Sequence, residues 1–196
     1  MVNYRNVNDK DLLQIAKIHK EQFPDHYLGK FSVSLLHKFY KNLYEGNFIF
    51  LVAEDNNQIV GFVLGGDLQL ILGKLNDFVK NYSSHYILEI LVRPNTWKDS
   101  VMKFWSRFIK KPTGEYNLDD IEKYTILSIA TAKAMQGKGL GSGLIKAFEK
   151  ELLPYGNRYM ISVREANDNA IRFYEKNGFV VENKLRDEFQ MVKIIK

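Results

Sequence analysis

The sequence predicts an α+β fold, and three observations carry that reading. Seven short runs have the composition of strands, at 2–7, 48–54, 58–67, 124–131, 158–163, 179–185 and 189–195. Helical periodicity fills the intervals between most of them, at 9–20, 32–44, 140–152 and 167–177. The chain is 196 residues long, 45% hydrophobic and 26% charged, which suits one globular domain with a sizeable core. Thirteen Phe and eleven Tyr supply the bulk of that core without a disulfide.

Taken in order, VNYRNV alternates as a short strand, and Asn8-Asp9 then caps a helix with Leu12, Ile15, Ala16 and Ile18 on one face. The loop from Phe23 to Gly29 is turn-rich and aromatic. The helix at 32–44 carries Leu35, Leu36, Phe39 and Leu43 on one side. Asp55-Asn56-Asn57 between two β-rich runs signals a hairpin. After Asp67 the strand pattern stops until about Tyr124, and 68–123 reads as an inserted helical segment within a single domain spanning 1–196. Gly178 ends the last helix before the final pair of strands.

Composition excludes several classes of function. With no cysteine there is no disulfide framework, no thiolate nucleophile and no Cys-based metal site, which fits a reducing compartment. The N-terminal twenty residues have no continuous apolar run and do not read as a signal peptide. The longest apolar stretches are far short of the roughly 20 residues of a membrane span. The expectation is a cytoplasmic protein, monomeric or homodimeric, that uses no metal and binds no DNA. The net charge of +5 is concentrated: residues 93–111 hold six Lys and Arg against one Asp, and the rest of the chain balances.

The most specific local feature is a strand, 124–131, followed by Gln136-Gly137-Lys138-Gly139-Leu140-Gly141-Ser142-Gly143 at the start of a helix. Glycines let the backbone turn tightly, and the free N–H groups of the helix's first turn face outward with the positive end of the dipole. That arrangement suits an anion, most often a phosphate. Lys138 adds a charge and Ser142 a hydroxyl. A Walker A loop fails here, because Lys138 is followed by Gly139 rather than Ser or Thr. A dinucleotide-binding fold would place its glycine motif after the first strand of a βαβ unit, not some 120 residues in and behind an antiparallel hairpin.

Gln136-Gly137-Lys138-Gly139-Leu140-Gly141 resembles the Gln/Arg-x-x-Gly-x-Gly/Ala signature of the GCN5-related N-acetyltransferase (GNAT) superfamily. Asn167-Asp168-Asn169-Ala170 and the segment Phe173 to Phe179 resemble the superfamily's other motif, in the same order and at the usual distance. The resemblance covers nearly the whole chain except 68–123. It implies a mixed, mostly antiparallel sheet of about seven strands flanked by helices, with a helical insertion between strands 3 and 4. It also implies acetyl-CoA, or another short acyl-CoA, as acyl donor to a primary amine.

Residue by residue, the resemblance implies that Ile129, Ala130 and Thr131 meet the pantetheine arm, with Ala130 taken as the oxyanion donor. Gln136, Gly137, Lys138, Gly139, Leu140, Gly141 and Ser142 then hold the pyrophosphate. Asn167 steadies the cofactor's amide arm, with Asn169, Phe173 and Lys176 nearby. Tyr174 maps onto the usual general acid, a phenol that stays protonated at neutral pH. Phe173 and Tyr174 also read as core aromatics. For the base the candidates are His26, Asp25, Asp67, Glu165, and Ser128 through a water.

The acceptor side is expected in the loop containing Asp25, His26 and Tyr27 and in the insertion. There Arg93, Lys98, Lys103, Arg107, Lys110 and Lys111 interleave with Trp97, Phe104, Trp105 and Phe108. Cations for a diphosphate and rings for a base fit a nucleotide-linked amino sugar, and the chain resembles bacterial sugar N-acyltransferases of cell-surface glycan pathways. Trp97, Trp105 and Arg107 are the residues assigned to that contact. The alternatives are a solvated basic face, a membrane-surface or RNA-binding helix, acetylation of protein N-termini, peptides or polyamines, and a non-catalytic acyl-CoA sensor.

Overall fold

Residues 2–26, 28–91 and 122–196 are described by a computed structural model. Seven strands form one sheet: β1 (Asn3–Asn6), β2 (Ile49–Asp55), β3 (Gln58–Asp67), β4 (Tyr124–Thr131), β5 (Arg158–Arg164), β6 (Val180–Leu185) and β7 (Glu188–Ile194). Their spatial order is β1-β2-β3-β4-β5-β7-β6. All neighbours are antiparallel except β4 and β5. The helices among the described residues are α1 (Leu12–Gln22), α2 (Val33–Tyr44), α3 (Leu68–Leu91), α4 (Leu140–Leu152) and α5 (Asp168–Lys176).

Period-2 alternation in the strands divides the core into two layers. Phe50, Val52, Phe62 and Leu64 pack with Leu12 and Ile15 of α1, Leu36 and Phe39 of α2, and Ile71 and Phe78 of α3. The intervening Leu51, Ala53 and Val63 pack on the other face with Leu144, Ile145 and Phe148 of α4. Local signals fix the boundaries. Asn8 and Asp11 make a capping box ahead of α1, and the Ser32 hydroxyl accepts from Leu35 N at the start of α2. Asn56 and Asn57 turn the β2–β3 hairpin with φ of 48° and 61°, the left-handed pair that a two-residue loop needs.

The insertion begins with α3, which has one non-helical residue, Tyr82 (φ −118°, ψ 17°), inside it. The basic aromatic stretch at 93–111, with Trp97, Trp105 and Arg107, lies outside the described residues, as does Tyr27. No helix among the described residues is long and apolar enough to cross a membrane.

Candidate active site

The sheet opens at its one parallel junction. β4 and β5 pair only at Thr125 and Met160, where the Thr125 hydroxyl also donates to the Met160 carbonyl at 3.0 Å. Beyond that point β4 stays with β3 as far as Thr131, and β5 stays with β7 as far as Arg164. The two strands therefore diverge into a gap. A bulge marks the divergence: Leu64 faces Ser128 while Gly65 faces Ile126, so Leu127 is an extra residue in β4.

The ladder decides which backbone groups face the gap. Ala132 N donates to Val60 O at 2.8 Å, and the register continues with Thr131 opposite Gly61 and Ala130 opposite Phe62. In an antiparallel ladder hydrogen-bonded and non-bonded pairs alternate. The N–H of Ala130 is thus committed to β3, while those of Ile129 and Thr131 point away from β3 into the gap. The expectation that Ala130 is the oxyanion donor is corrected to Ile129 and Thr131 on this ground.

The open end of β4 leads into the glycine turn through a single 3-10 turn at Lys133–Met135. Gly137 (φ 75°) and Gly139 (φ 79°) are left-handed, and a Cβ on either would meet nothing within 4 Å, so glycine is required there by φ alone. Gly141 and Gly143 serve a different purpose. A Cβ on Gly141 would lie 2.9 Å from the Phe173 ring, and one on Gly143 would lie 1.9 Å from the Tyr4 hydroxyl. They let α5 and β1 approach α4.

The first turn of α4 has no side-chain cap, and its first internal bond runs from Gly143 N to Gly139 O at 3.0 Å. The N–H groups of Leu140, Gly141 and Ser142 are left without helical acceptors at the positive end of the dipole. Lys138 is exposed beside them, its Nζ 3.4 Å from Met135 Sδ. Gln136 Nε2 donates to Gln22 Oε1 at 2.6 Å and ties the turn to the end of α1.

α5, which follows β5, carries Tyr174. Its ring packs edge-on against Phe173 (5.1 Å between centroids) and Phe179 (5.3 Å), and its hydroxyl has no hydrogen-bond partner among the described residues. Burial pushes its pKa up to about 12, so the phenol is protonated across the physiological range. Asn167 caps α5 by accepting from Ala170 N at 3.1 Å, which occupies its Oδ1 and leaves its amide donors for another acceptor. Asn169 Oδ1 accepts from Arg172, and Lys176 is exposed at the last turn of α5.

Residues 110–179, the stretch holding the glycine turn and α5, match the model of the acetyltransferase (GNAT) family. Over that stretch the chain is similar to GNAT acetyltransferases, whose fold it shares. Among 311 solved chains that match it is PaiA N-acetyltransferase of Thermoplasma acidophilum, in complex with coenzyme A, at 16% identity, 99% coverage of both chains and a TM-score of 0.58. NAA60 of Arabidopsis thaliana, in complex with acetyl-CoA, is 16% identical over 100% of this chain and 99% of its own, with a TM-score of 0.59. Ard1 of Thermoplasma volcanium is 19% identical over 100% and 98%, at 0.58. At these identities the likeness is one of fold. No curated protein matches the chain in sequence.

The α1–α2 side of the gap is less concentrated than the glycine turn. His26 is half-buried in the α1–α2 loop with its ring 5.2 Å from that of Phe23. Burial and then the Arg164 charge hold its pKa below the usual imidazole value, against a pull upward from Asp25. A neutral imidazole within electrostatic reach of Arg164 can accept a proton. Arg164, at the end of β5, was not singled out from sequence; only the arrival of the α1–α2 loop at the end of β5 gives it significance. Glu165 Oε1 accepts from Lys184 Nζ at 2.5 Å.

Asp67 is not brought to the same place. It faces Tyr124, while Ala130 lies six residues along β4, roughly 20 Å at a strand's rise. Its Oδ1 accepts from Gln69 N (2.9 Å) and Leu70 N (3.2 Å), which makes it the cap of α3. The expectation of Asp67 as a base is corrected accordingly.

Proposed function

We propose that the protein transfers an acetyl group from acetyl-CoA to a small primary amine in the cytoplasm. The observation that carries this reading is the β4–β5 gap ending at an uncapped helix N-terminus. A strand edge with free N–H groups suits the amides of a pantetheine arm, and the glycine turn suits a pyrophosphate. Leu140, Gly141 and Ser142 would donate backbone N–H groups to the phosphates, with Lys138 adding charge. Ile129 and Thr131 would donate along the arm, and Asn167 would supply its free amide donors. Phe173 closes the turn by packing rather than by touching the donor.

Acetyl-CoA supplies an activated acyl carbon, so no covalent enzyme intermediate is required. The amine nitrogen bonds to the acyl carbon as the carbon–sulfur bond breaks; the amine gives up one proton and the thiolate sulfur gains one. The Ile129 N–H polarises the thioester oxygen. Neutral His26 takes the amine's proton, and the unpartnered Tyr174 hydroxyl donates to the thiolate.

For the acceptor we propose a nucleotide-linked amino sugar, on the cation and ring pattern of residues 93–111. A coenzyme A thiol-release screen over dTDP- and UDP-linked amino sugars, polyamines, amino acids and peptides tests this directly. Release with the nucleotide sugars supports it. Release only with peptides or polyamines overturns the acceptor class, and acetyl-CoA binding with no release on any amine overturns the enzyme reading in favour of a sensor.

A further inference from the structure

A chain of three side chains crosses the acceptor-side layer and ends at the gap. His19 of α1 is 5% exposed, Tyr40 of α2 is fully buried, and Ser128 is half-buried beside the β4 bulge. His19 Nδ1 lies 2.6 Å from the Tyr40 hydroxyl, which lies 3.3 Å from Ser128 Oγ. These residues are 21 and 88 positions apart in sequence, in a mostly apolar and aromatic layer. Placing polar groups there costs free energy unless they are paired, and His19 Nε2 has no partner among the described residues. Core packing alone would be better served by Phe at 40 and Leu at 19.

The direction of the chain turns on the His19 tautomer. The 2.6 Å contact is a short hydrogen bond in which either partner could donate, depending on that tautomer. Burial, reinforced by His26 and Lys20, lowers the His19 pKa to about 3, so the ring is neutral at working pH and one of its nitrogens keeps a lone pair. Taken with the short contact, this makes Tyr40 O–H the donor to Nδ1 in the arrangement proposed here, with the His19 proton on Nε2; the His19 and Phe23 rings lie 4.8 Å apart. With its proton given to His19, the Tyr40 oxygen is an acceptor and takes the Ser128 O–H. The Ser128 lone pairs are then the part of that hydroxyl left for the gap, one residue from the Ile129 N–H.

We propose that Ser128 accepts a hydrogen bond from an N–H of the acceptor amine and so aims the nitrogen lone pair at the acyl carbon held by Ile129, with Tyr40 and His19 as positioning residues that fix the Ser128 hydroxyl as an acceptor. The proposal rests on the acetyltransfer reading above. It adds no proton acceptor; proton removal stays with His26.

The first test needs no substrate. Nitrogen-15 NMR of the full chain reports the His19 tautomer: Nδ1 bare and Nε2 protonated is expected, and a proton on Nδ1 reverses the chain and overturns the proposal. The second is kinetic, on whichever amine of the screen the wild type acetylates. Ser128→Ala is expected to lower kcat by roughly 100-fold, within the range of a lost positioning contact, with acetyl-CoA affinity unchanged. Ser128→Thr, which keeps the hydroxyl, is expected to restore most of it. Tyr40→Phe is expected to cost about tenfold alone and nothing further in the Ser128→Ala background. Ser128→Ala turning over like the wild type, or Tyr40→Phe costing the same in both backgrounds, overturns the proposal while leaving the acetyltransferase reading intact. A wild type inactive on every amine is the separate failure of that reading.

Discussion

The two layers that cover the sheet differ in how their chemistry is built. On the α4–α5 side it is local: a left-handed turn, an uncapped helix start and an asparagine cap lie within about forty residues. On the α1–α2 side it is assembled from distant positions, His19, His26, Tyr40 and Ser128, none of which belongs to a motif. A donor with a fixed phosphate and pantetheine chemistry can be met by backbone geometry, which a short sequence encodes. An acceptor amine is met by side chains, which only the tertiary fold brings together.

The largest effect is expected from the local side. Gly139→Val forces a β-branched residue to φ 79°, a strain of about 1–3 kcal/mol that the turn would relieve by moving. Acetyl-CoA affinity, read by calorimetry, is expected to fall roughly 100-fold with the unfolding midpoint little changed. Unaltered affinity would detach the turn from donor binding. Next, Tyr174→Phe is expected to lower kcat by about 10- to 100-fold with acetyl-CoA affinity intact; unchanged turnover removes Tyr174 from the chemistry.

Gly143→Ala separates packing from binding within the same motif. Its Cβ would overlap the Tyr4 hydroxyl, so a loss of about 1–3 kcal/mol in urea unfolding is expected. Adding Tyr4→Ala should recover part of it, and a Gly143→Ala protein as stable as the wild type would show that β1 does not need that approach.

The mildest effect at neutral pH belongs to the acceptor side. His19 has a pKa near 6.5 unfolded and about 3 folded, so between those values the unfolded chain binds more protons. Its contribution is fully present above about pH 6.5 and is lost on acidification through that window, by up to about 1.4 kcal/mol per pH unit. Urea midpoints at pH 4, 5 and 7 should converge between wild type and His19→Gln as pH falls. Parallel curves would mean His19 is not held neutral.

Much of the fold was legible because its signals are local. The Asn56-Asn57 hairpin, the caps at Asn8 and Ser32, and the strand after the insertion all sit within a few residues of where sequence placed them. The glycine turn was legible for the same reason, although half of its glycines answer to Phe173 and Tyr4 rather than to a ligand. Ladder parity was not legible, so Ala130 stood in for its neighbours. The Asp67 carboxylate had a local reading available, as the cap of the helix that follows it. Tyr40 and His19 carried no signal, because periodicity marks both simply as part of an inward helix face.

The central claim is that the donor lies against the free edge of β4. Amide hydrogen exchange, read residue by residue with and without saturating coenzyme A, tests it directly. Ile129 and Thr131 should exchange faster than Ala130 in the free protein and become protected on binding, with Ala130 slow in both states. If Ala130 is the amide that responds, or if Ile129 and Thr131 exchange alike with and without coenzyme A, the gap is not where the donor binds.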